Sequence, residues 1–236
     1  MHNREYKSDV FSMLISEPEY ALQVYNGLND SDYTDPSMVD IKTLENGISL
    51  TVRNDAAFIV GSDLNLYEHQ SRYNANMALR QFIYFAHTIE GMIDRKDLYS
   101  RKRIPIPFPR FVVFYNGIEG RPDVEIQRMS EHFTRQDESP ELDLKCVIYN
   151  INPGKNEDLF IKCPVLDGYT QFVEKVRDNK EVGQKDNDAV ENAIDSCIAE
   201  GILADFFKRR RNEVTKVIMI DMTFEAREKL IREEER

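Results

Sequence analysis

The stretch NDAAFIVGSDLNLYEHQ, residues 54–70, decides the fold of this chain. Apolar and aromatic residues concentrate there in two runs, and Gly61-Ser62-Asp63 separates them. This pattern predicts one strand around Ile48 to Val60 and a second around Leu64 to Gln70. Strands that follow one another this closely pair as antiparallel neighbours, so residues from both meet at one edge of a sheet.

Acidic and amide side chains mark that edge. Asp55 lies on the first strand, and Glu68 and Gln70 lie two residues apart on the second, which places the last two on one face. Two carboxylates close together repel unless a cation joins them. Magnesium, with manganese as a substitute, resolves that conflict because it takes oxygen ligands and substrate phosphates. The spacing predicts metal-assisted phosphodiester cleavage. The simpler interpretation makes Glu68 and Gln70 solvent-facing strand residues and Asp55 a turn or surface residue.

The stretch from Asn54 to Met77 resembles the Rpn-type recombination-promoting nucleases, a transposase-associated group of the PD-(D/E)XK nuclease superfamily. Three more segments are similar to this family: PRFVVFYNG (residues 109–117), YNIN (residues 149–152) and EGILADFFKRRR (residues 200–211). By this resemblance Asp55 takes the place of the aspartate of the motif. Glu68 takes that of the acidic residue of the triplet, and Gln70 that of the lysine, which many members replace.

The resemblance implies a magnesium-dependent DNA endonuclease with a restriction-endonuclease-like core. Asp55 and Glu68 would bind the metal, together with a backbone carbonyl near His69. Gln70 would orient a water or hydrogen-bond the phosphate, since an amide is neither a cation nor a base near neutral pH. The metal must then supply more of the rate enhancement than in members that keep the lysine.

The resemblance also implies helical residues at the site. Arg80 and Tyr84 are four residues apart and share a helix face, where they would clamp and hydrogen-bond phosphate. The alternative for this pair is a surface ion pair beside a half-buried tyrosine. An additional acid from the first helix would be Asp9, with Glu19 as a rival, although Ser8 or Asp9 as a helix N-cap explains Asp9 equally well.

The remaining pattern predicts an α/β fold with a mixed sheet flanked by helices. We expect helices over Tyr6 to Leu28, where Pro18 starts a second set of turns, over Asn76 to Ile93 and over most of the chain from Val165. Further strands are expected around Met38 to Thr43, Arg110 to Tyr115 and Leu142 to Ile151. Asn46-Gly47 is a hairpin turn signal, and Asn179 to Asp188 is the best linker candidate. A nuclease-like core over residues 1–160 would precede a helical region over 161–236, which packs on the core or forms a homodimer face.

Charge makes nucleic-acid binding harder. The formal net charge is −11, whereas DNA-binding proteins present a basic face. Two clusters are local exceptions: Arg101-Lys102-Arg103 in a predicted loop, and Lys208 to Arg211 at the end of a predicted helix, where cations also complement the helix dipole. The charge and Gln70 favour an alternative, a catalytically degenerate nuclease fold that binds nucleic acid or protein as an accessory of a mobile element.

Other chemistry finds no support in the sequence. The three cysteines are scattered, which favours buried thiols in a reducing compartment. The first residues lack an apolar targeting core and no apolar run is long enough to span a membrane, so we expect a cytoplasmic protein without a membrane partner. A phosphate-binding Walker loop, a GxGxxG motif and paired histidines are missing from the sequence, so no nucleotide cofactor is expected.

Overall fold

The computed structural model describes residues 6–42 and 55–218, apart from the side chains of Tyr6 and Asp186. Over these residues the chain is an α/β protein with a mixed sheet of six strands and a helical carboxy-terminal region. The predicted fold class is confirmed at this level. Within the described part, no helix combines the length and apolar character needed to cross a membrane.

The chain divides into two compact units. One unit is Ser31–Asn156 and contains the whole described sheet, whereas the other combines Met1–Asp30 with Glu157–Arg236 and is helical where it is described. The domain boundary expected after residue 160 stays a prediction. Residues up to Asp30 belong to the same unit as the carboxy-terminal helices.

The described strands form one sheet in the spatial order β1-β2-β3-β4-β6-β5. Their bounds are β1 Val39–Ile41, β2 Ala56–Val60, β3 Asp63–Gln70, β4 Phe108–Tyr115, β5 Val124–Arg128 and β6 Lys145–Asn150. β3 pairs parallel with β4, and β4 pairs parallel with β6, while the other neighbours are antiparallel. Pairing direction therefore changes at β3, the strand that carries the predicted triplet.

The strands predicted from the sequence are confirmed where they are described. β2 and β3 form the expected antiparallel pair, with Ala56 opposite Tyr67. The turn signal Asn46-Gly47 and the beginning of the predicted second strand lie outside the described residues. β5 is the strand that the sequence patterns miss. Its apolar residues Val124 and Ile126 are exposed while Gln127 is buried, so its alternation is the reverse of an ordinary half-buried strand.

Helix α3, Met77–Met92, connects β3 to β4 and packs on one face of the sheet. Parallel neighbours need such a crossover because a tight turn cannot join them. Near its start, α3 contributes Met77 and Ala78 to a core cluster with Val113 and Ile148. Further along, apolar residues of β2 and β3 surround Tyr84. The helix is thereby fixed beside the carboxyl end of β3.

The helical unit contains α1 Tyr6–Ile15, α2 Pro18–Asn29, α4 Glu157–Lys162, α5 Pro164–Glu181, α6 Asp186–Glu200 and a helix, α7, over 204–218. The helical region predicted over Tyr6 to Leu28 is divided into two helices at Pro18, the residue predicted to start a second set of turns, since this proline begins α2. The linker predicted at Asn179 to Asp188 is wrong. Only residues 182–185 separate α5 from α6, which belong to one unit and pack together.

Candidate functional site

Asp55 and Glu68 lie side by side at one edge of the sheet. Asp55 directly precedes β2, and the register that places Ala56 opposite Tyr67 brings Asp55 opposite Glu68 when it is continued by one residue. Both carboxylates are buried, with 4% of Asp55 and 2% of Glu68 exposed. The interpretation of Glu68 as solvent-facing and of Asp55 as a surface residue is therefore wrong. Gln70, which ends β3, is partly exposed.

A backbone group fixes the carboxylate of Asp55. The His69 N–H donates a hydrogen bond of 2.8 Å to Asp55 Oδ2. Hydrogen bonds to an ionised oxygen are stronger than neutral ones, so this contact ties the residue before β2 to the end of β3. The backbone of β3 therefore holds Asp55 in position, and no long, flexible side chain is involved.

Two side chains contact Glu68 Oε1. Gln70 Nε2 donates a hydrogen bond of 2.8 Å to this oxygen, and Arg80 Nη2 forms an ion pair with it. The Glu68 side chain is 3% exposed and that of Arg80 is 29% exposed, so the guanidinium lies between the buried acid and solvent. Glu68 and Gln70 come from β3, whereas Arg80 comes from the first turns of α3.

Arg80 and Tyr84 act as one group, as their spacing predicts. Arg80 Nη2 and Nε donate hydrogen bonds of 2.8 Å and 3.2 Å to the Tyr84 hydroxyl. Tyr84 is 5% exposed and belongs to the core under α3. The alternative of a surface ion pair beside a half-buried tyrosine does not describe this arrangement, because the acid and the phenol are both buried. A role of the two residues in binding phosphate stays a prediction.

The charges of this cluster shift the titration of its members. Burial raises the pKa of Tyr84 to about 12, and the charge of Glu68 adds to that effect. For Arg80, burial alone would lower the pKa, but Glu68, Tyr84 and Asp55 outweigh it and the pKa is raised. Near neutral pH the guanidinium is therefore charged and the phenol keeps its proton, so both are hydrogen-bond donors and neither is a base.

The acidic residues of the site outnumber its one basic residue. With two carboxylates against one guanidinium, the formal charge of Asp55, Glu68 and Arg80 is −1, which favours a bound cation. Among the residues described, no group of three or more His, Cys, Asp or Glu side chains could hold a metal ion. Magnesium is commonly bound through one or two carboxylates, with water and substrate phosphate completing its shell, and these two residues fit that mode.

A turn after β4 supports the end of β3. The Asn116 N–H donates a hydrogen bond of 2.9 Å to the Gln70 carbonyl. A Cβ atom at Gly117 would lie 2.6 Å from the Ser71 carbonyl oxygen, closer than real carbon–oxygen contacts allow. Glycine is therefore required where this turn approaches the backbone that follows Gln70. The NG pair that ends PRFVVFYNG has this structural role.

A residue that the sequence did not single out holds the beginning of α3. Gln127, buried on β5, accepts a hydrogen bond of 3.1 Å from the Met77 N–H and donates one of 3.1 Å to the Asn74 carbonyl. The Asn76 side chain at the helix N-cap makes no capping hydrogen bond, so Gln127 satisfies this helix end instead. Arg80 thereby depends on β5 for its position.

The helical unit contains the remaining acidic candidates. Asp9 lies in the first turn of α1, which begins at Tyr6, so the prediction that Ser8 or Asp9 is the N-cap is wrong. Glu19 lies in the first turn of α2. The role of Asp9 as an additional metal ligand stays a prediction.

The two basic clusters differ in their surroundings. Arg209 and Arg210 form ion pairs with Glu17, and Arg211 forms ion pairs with Glu191 and Asp195. These pairs neutralise the three arginines within their own unit. The cluster lies inside α7, which continues to residue 218, so the prediction that it ends a helix is wrong. Residues 101–103, in contrast, are exposed.

No family model matches this chain, and no curated protein or solved structure matches it. The geometry of the site, beside the sequence resemblance, is therefore the basis for a functional proposal.

Proposed function

We propose that this chain is a magnesium-dependent DNA endonuclease of the Rpn type, with a restriction-endonuclease-like core and with Asp55 and Glu68 as the metal ligands. One observation carries the proposal. Two buried carboxylates from adjacent strands meet at a sheet edge, together with Gln70 and with the Arg80–Tyr84 pair of the following helix. Burying two acids beside each other is costly, and a bound cation offsets that cost.

Each residue has a role that its chemistry permits. A divalent ion bound by Asp55 and Glu68 would polarise the scissile phosphate and lower the pKa of a bound water. Gln70 is neutral and hydrogen-bonds a water or a phosphate oxygen. Arg80 is charged, and its guanidinium stabilises negative charge that develops on the phosphate. Tyr84 keeps its proton and positions Arg80, whose Nη2 and Nε both donate to its hydroxyl.

A second candidate function is a degenerate nuclease fold that binds nucleic acid or a protein partner without cutting. The specific observation in its favour is the state of Glu68, whose Oε1 already accepts a hydrogen bond from Gln70 and pairs with Arg80. A carboxylate that its neighbours neutralise in this way attracts a cation less strongly. The net charge of −11 also disfavours unaided binding to DNA.

The test is cleavage of supercoiled plasmid by the purified full chain with magnesium, with manganese and with chelator. Glu68→Gln keeps the shape of the side chain and removes its charge, and Asp55→Ala removes the other acid. We expect metal-dependent nicking by the wild type and loss of nicking in both variants. Circular dichroism and thermal unfolding establish that the variants are folded.

Nicking that survives Asp55→Ala or Glu68→Gln would refute the assignment of the site. If the wild type cuts with neither metal, the degenerate fold becomes the leading function. A salt-titrated DNA-binding measurement then separates a degenerate fold that binds nucleic acid from one that binds a protein partner. Binding to DNA phosphates weakens steeply as salt is added, whereas a chain that binds only a protein partner shows no DNA binding at any salt concentration.

A further inference from the structure

We propose that the connection between α3 and β4, residues 93–107, is a nucleic-acid contact surface. Arg101, Lys102 and Arg103 would bind backbone phosphates, and an unpaired base would stack on Tyr99. This inference deepens the proposed function, because it names a surface, distant from the carboxylates, where the chain binds DNA. It rests on the proposed function for the identity of the bound polymer.

The connection is unusually exposed. Every residue from 94 to 103 is exposed, and 91% of Tyr99 and 60% of Leu98 are accessible to solvent. Tyr99 ends a short 3-10 turn that begins at Arg95, so its ring is presented by ordered backbone. An aromatic ring held this far into solvent contributes little to folding, since stabilisation follows the area that is buried.

The charge of the connection is opposite to that of the chain. Five Lys or Arg residues against two Asp give residues 94–103 a formal charge of +3, in a chain whose net charge is −11. Arg95 pairs with Glu90. Within residues 6–42 and 55–218, no ion pair engages Lys96 or the three cations at 101–103. In α7, by contrast, Arg209, Arg210 and Arg211 all pair with carboxylates, so the two clusters are not equivalent.

A second aromatic ring extends the surface. Phe108, the first residue of β4, is 63% exposed, and the guanidinium carbon of Arg110 lies 5.5 Å from the centre of its ring. Exposed rings interleaved with cations are how proteins hold unpaired nucleic acid, because every base can stack and every nucleotide carries a phosphate. A lipid surface is a poorer fit, since interfacial binding relies on a continuous apolar helix face.

The surface lies at the opposite end of β3 from the carboxylates. In the parallel pairing of β3 with β4, Phe108 is opposite Asp63, whereas Val113 is opposite Glu68. Five residues of strand at about 3.3 Å per residue separate these positions by about 17 Å. Binding at this surface can therefore be measured without disturbing Asp55 or Glu68, and the two proposals can fail separately.

The experiment measures fluorescence anisotropy of labelled single-stranded and duplex DNA with the full chain in chelator, where metal-dependent cutting is suppressed. The variants are Arg101→Ala/Lys102→Ala/Arg103→Ala, Tyr99→Ala and Tyr99→Phe. The matched control is Lys145→Ala/Lys185→Ala/Lys216→Ala, which removes three exposed cations elsewhere on the chain. Because all of these positions are exposed, the variants are expected to fold, and thermal unfolding verifies this.

We expect the loop triple variant to lower the slope of log affinity against log salt by about 2, since each phosphate contact contributes about 0.7 for single strands. Tyr99→Ala should weaken single-strand binding about 5- to 140-fold, and Tyr99→Phe should restore it. The control triple variant should bind as the wild type does.

Unchanged affinity and salt slope in the loop triple variant would overturn the contact surface, whether or not the wild type cuts DNA. So would binding of anionic phosphatidylserine vesicles in place of DNA, or a control triple variant that loses as much affinity as the loop variant. If binding depends on residues 99 and 101–103 while the wild type cuts with neither metal, the contact surface stands and the endonuclease proposal fails.

Discussion

Removing the guanidinium of Arg80 should make the stability of this protein depend on magnesium. In Arg80→Met, Glu68 loses its ion-pair partner while it and the neighbouring Asp55 stay buried. Breaking a buried ion pair costs about 3–5 kcal/mol, and breaking an exposed one costs at most about 1 kcal/mol. The Arg80 side chain is 29% exposed and that of Glu68 is 3% exposed, so we expect a loss of about 2–4 kcal/mol.

Magnesium should return part of this loss. A ligand that binds only the folded state stabilises it by about 2.7 kcal/mol at a concentration of 100 times its dissociation constant. In the variant, Arg80 no longer competes for Glu68, so magnesium should stabilise Arg80→Met more than it stabilises the wild type. The assay is urea unfolding of both proteins over a series of magnesium concentrations.

Arg95→Met is the matched control. Arg95 lies shortly after the end of α3 and pairs with Glu90, but the two side chains are 79% and 52% exposed. Its removal should cost at most about 1 kcal/mol and should not alter the response to magnesium. An equal loss in the two variants would refute the description of the Arg80 pair as partly buried. If magnesium stabilises neither the wild type nor Arg80→Met, the carboxylate pair is not a cation site.

Three further outcomes follow from the structure. Gly117→Ala should cost about 1–3 kcal/mol and reduce nicking, because the added carbon meets the Ser71 carbonyl. In the control Gly120→Ala, a Cβ meets nothing within 4 Å, so stability should change by less than about 0.5 kcal/mol. Equal urea midpoints for the two variants would contradict this prediction. Gln127→Ala should cost about 1–2 kcal/mol in urea unfolding through loss of the Met77 contact, and a smaller loss than about 0.5 kcal/mol would show that Gln127 does not hold α3. Burial raises the pKa of the Cys146, Cys163 and Cys197 thiols, so at about pH 8 a thiol reagent should react with them only after unfolding. In the folded chain the thiolate should form only as the pH rises toward these raised pKa values. Rapid reaction of the folded chain at about pH 8 would contradict the burial of the three cysteines.

Local patterns predict the parts of the site that are close together in the sequence. A turn between two strand-like runs is enough to bring Asp55 beside Glu68, and the strand period of two places Gln70 on the face of Glu68. Helical spacing likewise predicts that Arg80 meets Tyr84. These relations depend on backbone geometry over one or two elements.

The residues that hold the site in place depend on pairing between strands that are distant in the sequence, and no local sequence pattern predicts such pairing. Gln127 reaches α3 only because β5 joins the sheet beside β6, and the reversed alternation of Val124 and Ile126 conceals that strand. The cations at 209–211 illustrate the same limit. They are indistinguishable in the sequence from a phosphate-binding cluster, and only the fold reveals carboxylates opposite them.

The change of pairing direction at β3 has a consequence for how the protein folds. The β2–β3 hairpin closes a short loop, so Asp55 and Glu68 can meet early, at a small cost in chain entropy. The parallel pairing of β3 with β4 and the arrival of Gln127 from β5 require much longer loops to close, which slows those steps. Until α3 docks, the two acids lack their guanidinium and repel each other. Divalent ions present during refolding would screen that repulsion, so the refolding rate should increase with their concentration.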